Sequence, residues 1–241
     1  MTFNYKLVDK IISAIFPLPK KFGNIIYSDY DTEIVNYDSI AEAIFQIDPY
    51  AKIHFGISKM VIVSPNLRGV VIKIPFTGYY ELFSEDEEWN ENSCWIPFKY
   101  APCEEDSSDY CLAEYRKYQT LKELGLHCFL AETAAYKTID GVRIFLQEEV
   151  TPESQTYESY NPSINSKKLA KEYKNKYRCH HLDTNWIGIC LDKYGQRKTE
   201  RFLSYCIEID PDILDDAHSS NYGYRDNGTA VLLDFSNYLD A

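Results

Sequence analysis

No apolar run in this 241-residue chain is long enough to cross a membrane. The opening stretch MTFNYKLVDKIISAIFPLPKK lacks the basic leader and small-residue cleavage site of a secretory signal, so it reads as an amphipathic element. An excess of positive charge is missing as well. The net charge is −12 and the pI is near 4.9, so most of the surface repels phosphate backbones and anionic headgroups, and neither nucleic acid nor a membrane is the expected partner. There is no Cys-x-x-Cys pair. The seven cysteines, Cys94, Cys103, Cys111, Cys128, Cys179, Cys190 and Cys206, are odd in number and follow no framework, which suits reduced thiols in a cytoplasm. Their densest grouping with histidine is RCHHLDTNWIGIC, holding Cys179, His180, His181 and Cys190. Adjacent histidines project in different directions, so a closed tetrahedral zinc site is not expected there. Internal repeats and low-complexity tracts are absent too.

What is present is enough apolar material for a packed interior: 45% hydrophobic residues and 15% aromatics, including 21 tyrosines. That supports one large domain or two lobes sharing a cleft. Residues 53–76, IHFGISKMVIVSPNLRGVVIKIPF, read as two or three strands of a meander broken at Gly56 to Ser58 and at the turn SPNLRG. Residues 77–109 form an acidic insertion, read as a solvated surface segment. A helix over about 107–124 follows, with Asp106, Ser107 or Ser108 as its cap and Gly125 placed to end it. AAYKTIDGVRIFLQEEV reads as a hairpin turning at Asp140-Gly141, and the QEEV that ends it, followed by Thr151-Pro152, reads as a linker. Beyond Pro152 the pattern turns helical. SINSKKLAKEYKNKYR and QRKTERFLSYCIEI are helices, and two short strands flank the tight turn Asp226-Asn227-Gly228. The expected class is α+β: a β-rich lobe over residues 1–150 and a smaller, mostly helical lobe over 151–241.

Three acidic or amide side chains near the C-terminal end carry the chemical signal. Asp216 stands five residues before Asn221, and thirteen residues after that Asp234 ends the apolar run AVLLDF. One loop can then present a carboxylate to a nucleophile and an amide oxygen to a metal, with a second carboxylate returning on the next strand. The runs DDAHSSN and LLDFS resemble the catalytic and metal-binding loops of the protein kinase-like superfamily, where Asp-x-x-x-x-Asn precedes Asp-Phe-Gly at this separation. His218 gives the loop a form similar to that of aminoglycoside phosphotransferases and of several phage and bacterial kinases. Upstream, GVVIKIPF resembles the strand carrying the nucleotide-binding lysine, CLAEYRKY the helix carrying its glutamate partner, FGISKMVIV the glycine-rich loop, and RIFLQEEV the last strand before the hinge.

The resemblance implies a bilobal kinase-like fold from about residue 50 to 236. It also implies roles. Asp216 would orient an acceptor hydroxyl, Asn221 and Asp234 would hold Mg (or Mn), Lys73 would contact the phosphates of ATP, and Glu114 would fix Lys73. Gly56, Ser58, Glu148 and Val150 would line the nucleotide. The chain departs from the pattern at three places: the nucleotide loop has one glycine, Leu214 and Asp215 stand where His-Arg is usual, and Ser236 replaces the glycine after Asp-Phe. Only five residues follow Ser236, so the expectation is a reduced kinase of the bacterial-effector or phage type, without an activation segment. It would work in a cytoplasm, that of a host included. A protein Ser/Thr hydroxyl is the preferred acceptor. A small-molecule acceptor, a nucleotide-binding protein without transfer activity, and nucleotidyl transfer by the same residues are the alternatives.

Overall fold

The computed structural model describes residues 3–16, 25–27, 33–35, 37–55, 59–77, 99–100, 109–139, 141–153, 161–177, 182–215, 217 and 221–235. It is a mixed α+β structure with antiparallel sheets. The chain divides into two compact units, but not at a single cut near residue 150: one comprises 1–111 and 134–147, the other 112–133 and 148–241.

The first unit is built on a six-stranded sheet. Its strands are β3 (Lys52–Phe55), β4 (Lys59–Val63), β5 (Val70–Thr77), β7 (Thr133–Ile139) and β8 (Val142–Glu148) in the order β3-β4-β5-β8-β7, with β6 (Lys99–Tyr100) paired to β5. A separate two-stranded ribbon joins β1 (Ile25–Tyr27) and β2 (Glu33–Val35). The β7–β8 connection is the hairpin read at residues 140–141, and Gly141 takes the positive φ of 83° that the turn needs. The acidic insertion contributes β6. Its residues 78–98 and 101–108 lie outside the described residues.

Two helices cover one face of this sheet. In α1 (Tyr5–Ile15) the Asn4 side chain accepts a hydrogen bond from the Leu7 amide, and Val8, Ile11, Ile12 and Ile15 recur at helical spacing as a fully buried stripe. Helix α2 (Tyr37–Ile47) adds Ile40 and Ile44. Both pack with Met60 and Ile62 of β4, Ile72 and Ile74 of β5, and Ile144 of β8. Alternation along β5 therefore sends Lys73, between Ile72 and Ile74, to the opposite face. The end of α2 is tied to the turn after β4: the Asp48 carboxylate accepts from the Ser64 hydroxyl at 2.5 Å, from the Asn66 amide at 2.9 Å and from the Tyr50 backbone at 3.1 Å. These bonds hold its pKa below the ordinary carboxylate value although burial acts the other way.

The second unit is mainly helical. Helix α3 (Tyr110–Glu123) begins just ahead of the division and ends at Gly125, whose φ of +70° is the left-handed termination read from the sequence. Asp109 immediately precedes it, and the three cap candidates at 106–108 lie outside the described residues. Then come α4 (Ile164–Lys176), α5 (Thr184–Tyr194), α6 (Gln196–Glu208) and a single turn, α7 (Asp212–Asp215). The core joins Tyr118 and Leu121 of α3 to Trp186 of α5 and Phe202 of α6, with the Phe129 ring stacked on Phe202 at 4.3 Å. Trp186 to Leu191 are six consecutive buried residues, so the middle of α5 is enclosed all round while Asp192 and Lys193 near its end are exposed. Cys190 lies in that run as an interior residue whose burial raises its thiol pKa, while Cys179, His180 and His181 lie outside the described residues.

A small sheet completes this unit in the order β11-β10-β9, formed by β9 (Thr151–Pro152), β10 (Tyr222–Tyr224) and β11 (Ala230–Leu232). Thr151-Pro152, read from sequence as part of a linker, is instead an edge strand. Tyr224 pairs with Thr151 and Gly223 with Pro152. Glycine is required at 223, because a Cβ there would meet the Thr151 carbonyl oxygen at 2.4 Å. Among the described residues no helix is long and apolar enough to cross a membrane.

Candidate functional site

The hairpin β10–β11 determines which candidate residues meet. Its turn closes through the Arg225 amide to the Thr229 carbonyl at 3.0 Å and the Gly228 amide to the Arg225 carbonyl at 2.8 Å, with Gly228 at φ +73°. Tyr222 pairs with Leu232, so the residues just beyond, Asn221 and Leu233, lie at the open mouth. There the Asn221 carbonyl accepts from the Leu233 amide at 2.8 Å and from the Asp234 amide at 3.4 Å. Asn221 and Asp234, thirteen residues apart in sequence, are thus in direct backbone contact. Both are half-buried, and Phe235 anchors the strand end in the core.

Asp216, the expected proton acceptor, lies outside the described residues, as does His218. Its neighbours are fixed. Leu214 and Ala217 are buried in the same core as Phe235, and the Ala217 amide donates to the Leu214 carbonyl at 3.2 Å. Gly56 and Ser58, between β3 and β4, also lie outside the described residues. Lys73 is 3% exposed in the centre of β5, opposite Val61 of β4. Glu114 is fully buried on α3. Lysine and glutamate are among the side chains least often buried, so their burial here marks both positions as specialised.

The hinge candidates are Glu148 and Val150. The Glu148 carboxylate is engaged within its own unit: it accepts from Arg225 Nε at 2.5 Å and Nη2 at 2.9 Å, and from the Glu132 amide at 2.9 Å. Its own amide donates to the Glu132 carbonyl at 2.8 Å. Val150 is half-buried and precedes β9.

Arg225 is the residue that sequence reasoning passed over. Besides Glu148, its guanidinium donates to the carbonyls of Cys128 at 3.1 Å and Leu130 at 3.2 Å and to the Tyr194 hydroxyl at 3.3 Å. It stands one residue after β10, and Leu130 forms a parallel bridge to Leu232 of β11. The guanidinium therefore braces the hairpin that carries Asn221 and Asp234. A charged residue at the end of a predicted strand, directly before a tight turn, was the available signal. Tyr222 and Tyr224 flank the same place with hydroxyl pKa values raised by burial, that of Tyr224 also by hydrogen bonding to Glu153.

The hairpin mouth offers one amide oxygen and one carboxylate, hard donors of the kind Mg prefers. No group of three or more His, Cys, Asp and Glu able to hold a metal occurs among the described residues, a set that does not include Asp216 or His218. No family model, curated protein or solved structure matches the chain.

Proposed function

We propose that the chain is an ATP- and Mg-dependent kinase on a bilobal protein kinase-like fold, transferring the γ-phosphate to a hydroxyl, with Ser or Thr of a protein as the preferred acceptor. The observation that carries this reading is the hairpin mouth. It juxtaposes Asn221 and Asp234 through the two backbone bonds to the Asn221 carbonyl, the placement the resemblance to the kinase loops requires. The buried Lys73 and Glu114 support it from the elements the resemblance names.

In this reading Asn221 and Asp234 would hold Mg, which would supply charge neutralisation at the phosphates. Asp216 orients the acceptor hydroxyl and takes its proton as the oxygen attacks the γ-phosphorus and the bond to the β-phosphate oxygen breaks, releasing ADP. Lys73 draws on the phosphates and Glu114 fixes Lys73. Because the Glu148 carboxylate is held by Arg225 and the Glu132 amide, this stretch would meet a nucleotide through its main chain.

The test is incubation with ATP labelled at the α- or γ-phosphate, Mg or Mn, and a cell lysate as acceptor, beside Asp216→Ala and Asp234→Asn. γ-Label transfer reduced about a hundredfold or more in both variants is expected. Transfer of the α-label alone would replace the proposal with nucleotidyl transfer. Tight ATP binding without any transfer would replace it with a nucleotide-binding interaction protein.

A further inference from the structure

The second unit carries a groove that the proposed chemistry does not use. It has a volume of about 440 Å³ and lies along α6, open to solvent on one side, with Leu124, Leu126 and Tyr177 on its walls. Arg197, Arg201 and Glu208 come from α6 itself. Their spacing of four and then seven residues puts them in one stripe of the helix. Arg197 to Glu208 is eleven helical steps, about 16 Å, the span of about five residues of extended chain.

The charges are distributed along that length. At the N-terminal end of α6, Arg197 forms no hydrogen bond or ion pair among the described residues, and there Arg201 uses a single donor group, Nη2, on the Leu124 carbonyl at 3.3 Å. Glu200 also lines the groove there, where the Tyr173 hydroxyl and the Gln196 amide both donate to its Oε1 and Lys176 lies nearby, so this end carries two cations against one anion. At the other end Glu208 is exposed. Between them Tyr177, Ser204 and Tyr205 line the groove, two ring faces with three hydroxyls, and Leu124 stays 42% exposed although the Arg201 contact holds its backbone.

We infer that this groove binds an extended peptide segment bearing an acidic residue at the arginine end, small apolar side chains in the middle and a basic residue opposite Glu208. Length and charge separation argue for a peptide rather than a compact metabolite. Opposite charges about 16 Å apart are met by an extended chain of five or six residues, and cation–carboxylate pairs at both ends fix its direction. The inference is independent of phosphoryl transfer, because binding is measured without nucleotide.

The probe is a fluorescein-labelled peptide EELALK, compared with QQLALQ and KKLALK by fluorescence polarisation on the full chain. EELALK is expected to bind saturably and the other two at least about tenfold more weakly. In the Arg197→Glu/Arg201→Glu variant, EELALK should lose about tenfold or more and KKLALK should become the preferred ligand. Equal binding of EELALK and QQLALQ, or unchanged affinity in the variant, overturns the proposal. If that variant fails to fold, amide shifts in the unaltered protein decide. EELALK should perturb residues 124–126 and 197–208, and perturbation confined to other residues, or none at about 1 mM peptide, also overturns it.

Discussion

Replacing Arg225 by alanine should destabilise the second unit more than any single surface change. The guanidinium makes five hydrogen bonds: two to Glu148, two to the carbonyls of Cys128 and Leu130, and one to the Tyr194 hydroxyl. The Arg225 and Glu148 side chains are only 24% and 22% exposed, so water reaches this cluster from one side. Breaking a buried pair by deleting one partner costs about 3–5 kcal/mol, because the other charge is left behind. Access of water and the remaining Glu132 amide bond move the expected cost to the lower end, about 3 kcal/mol. The assay is urea unfolding followed by tryptophan fluorescence, to which the buried Trp186 contributes beside Trp89 and Trp95, with Tyr absorbance as a second probe to test two-state behaviour. Arg225→Lys should recover only part of the loss, since an ammonium cannot span the Glu148 carboxylate and two carbonyls as the planar fork does. Removing both charges, as Arg225→Met with Glu148→Leu, should cost less than Arg225→Ala alone. A loss below about 1 kcal/mol for Arg225→Ala, or a double variant that simply adds the two single losses, would refute the bracing role.

Gly223→Ala drives a Cβ to 2.4 Å from the Thr151 carbonyl oxygen and should split β9 from β10, lowering stability by about 2–3 kcal/mol and raising hydrogen exchange at residues 221–224. Asp48 has a lowered folded-state pKa, so its stabilising contribution is present above the unfolded value of about 3.9 and fades as pH falls through the lower folded value. The stability gap between the protein and Asp48→Asn should therefore be open at pH 7 and close towards pH 3, and a gap constant over that range would count against it. Phe129→Ala removes a ring stacked on Phe202 in a fully buried position, with an expected loss of about 3–5 kcal/mol in thermal or urea unfolding.

Local signals were the legible ones. The amphipathic element read at the N-terminus is helix α1, the end of α3 follows from Gly125, and both hairpins follow from Asp140-Gly141 and Asp226-Asn227-Gly228, because each rests on residues within one or two turns of chain. Helix α5 has end signals, Asp183 capping its start and Gly195 its end, but no stripe: Trp186 to Leu191 are buried without a polar position among them to set the period, and the segment drew notice for its cysteines and histidines instead. Thr151-Pro152 carries a proline, which demotes a two-residue stretch as a strand, and it pairs where Gly223, some seventy residues later, offers a surface without a side chain. The site divides in the same way. Asn221 and Asp234 are legible because one hairpin connects them, whereas the engagement of Glu148 by Arg225, 77 residues away, depends on tertiary placement that no spacing encodes.

The order of strands in the six-stranded sheet bears on how the chain is made. Along β5 the neighbours are β4 and β8, with β6 paired only to its end at Phe76 and Thr77, and β8 lies beyond the whole of residues 112–133, which group with the other unit. During vectorial synthesis the stretch of β5 that holds Lys73, ahead of the β6 pairing at Phe76 and Thr77, lacks its β8 neighbour until residue 148 has left the ribosome. Closing the sheet then means passing over a segment that folds elsewhere. Ribosome-bound chains stalled before β8 should be open to protease at β4 and β5, and those stalled well after it should be protected.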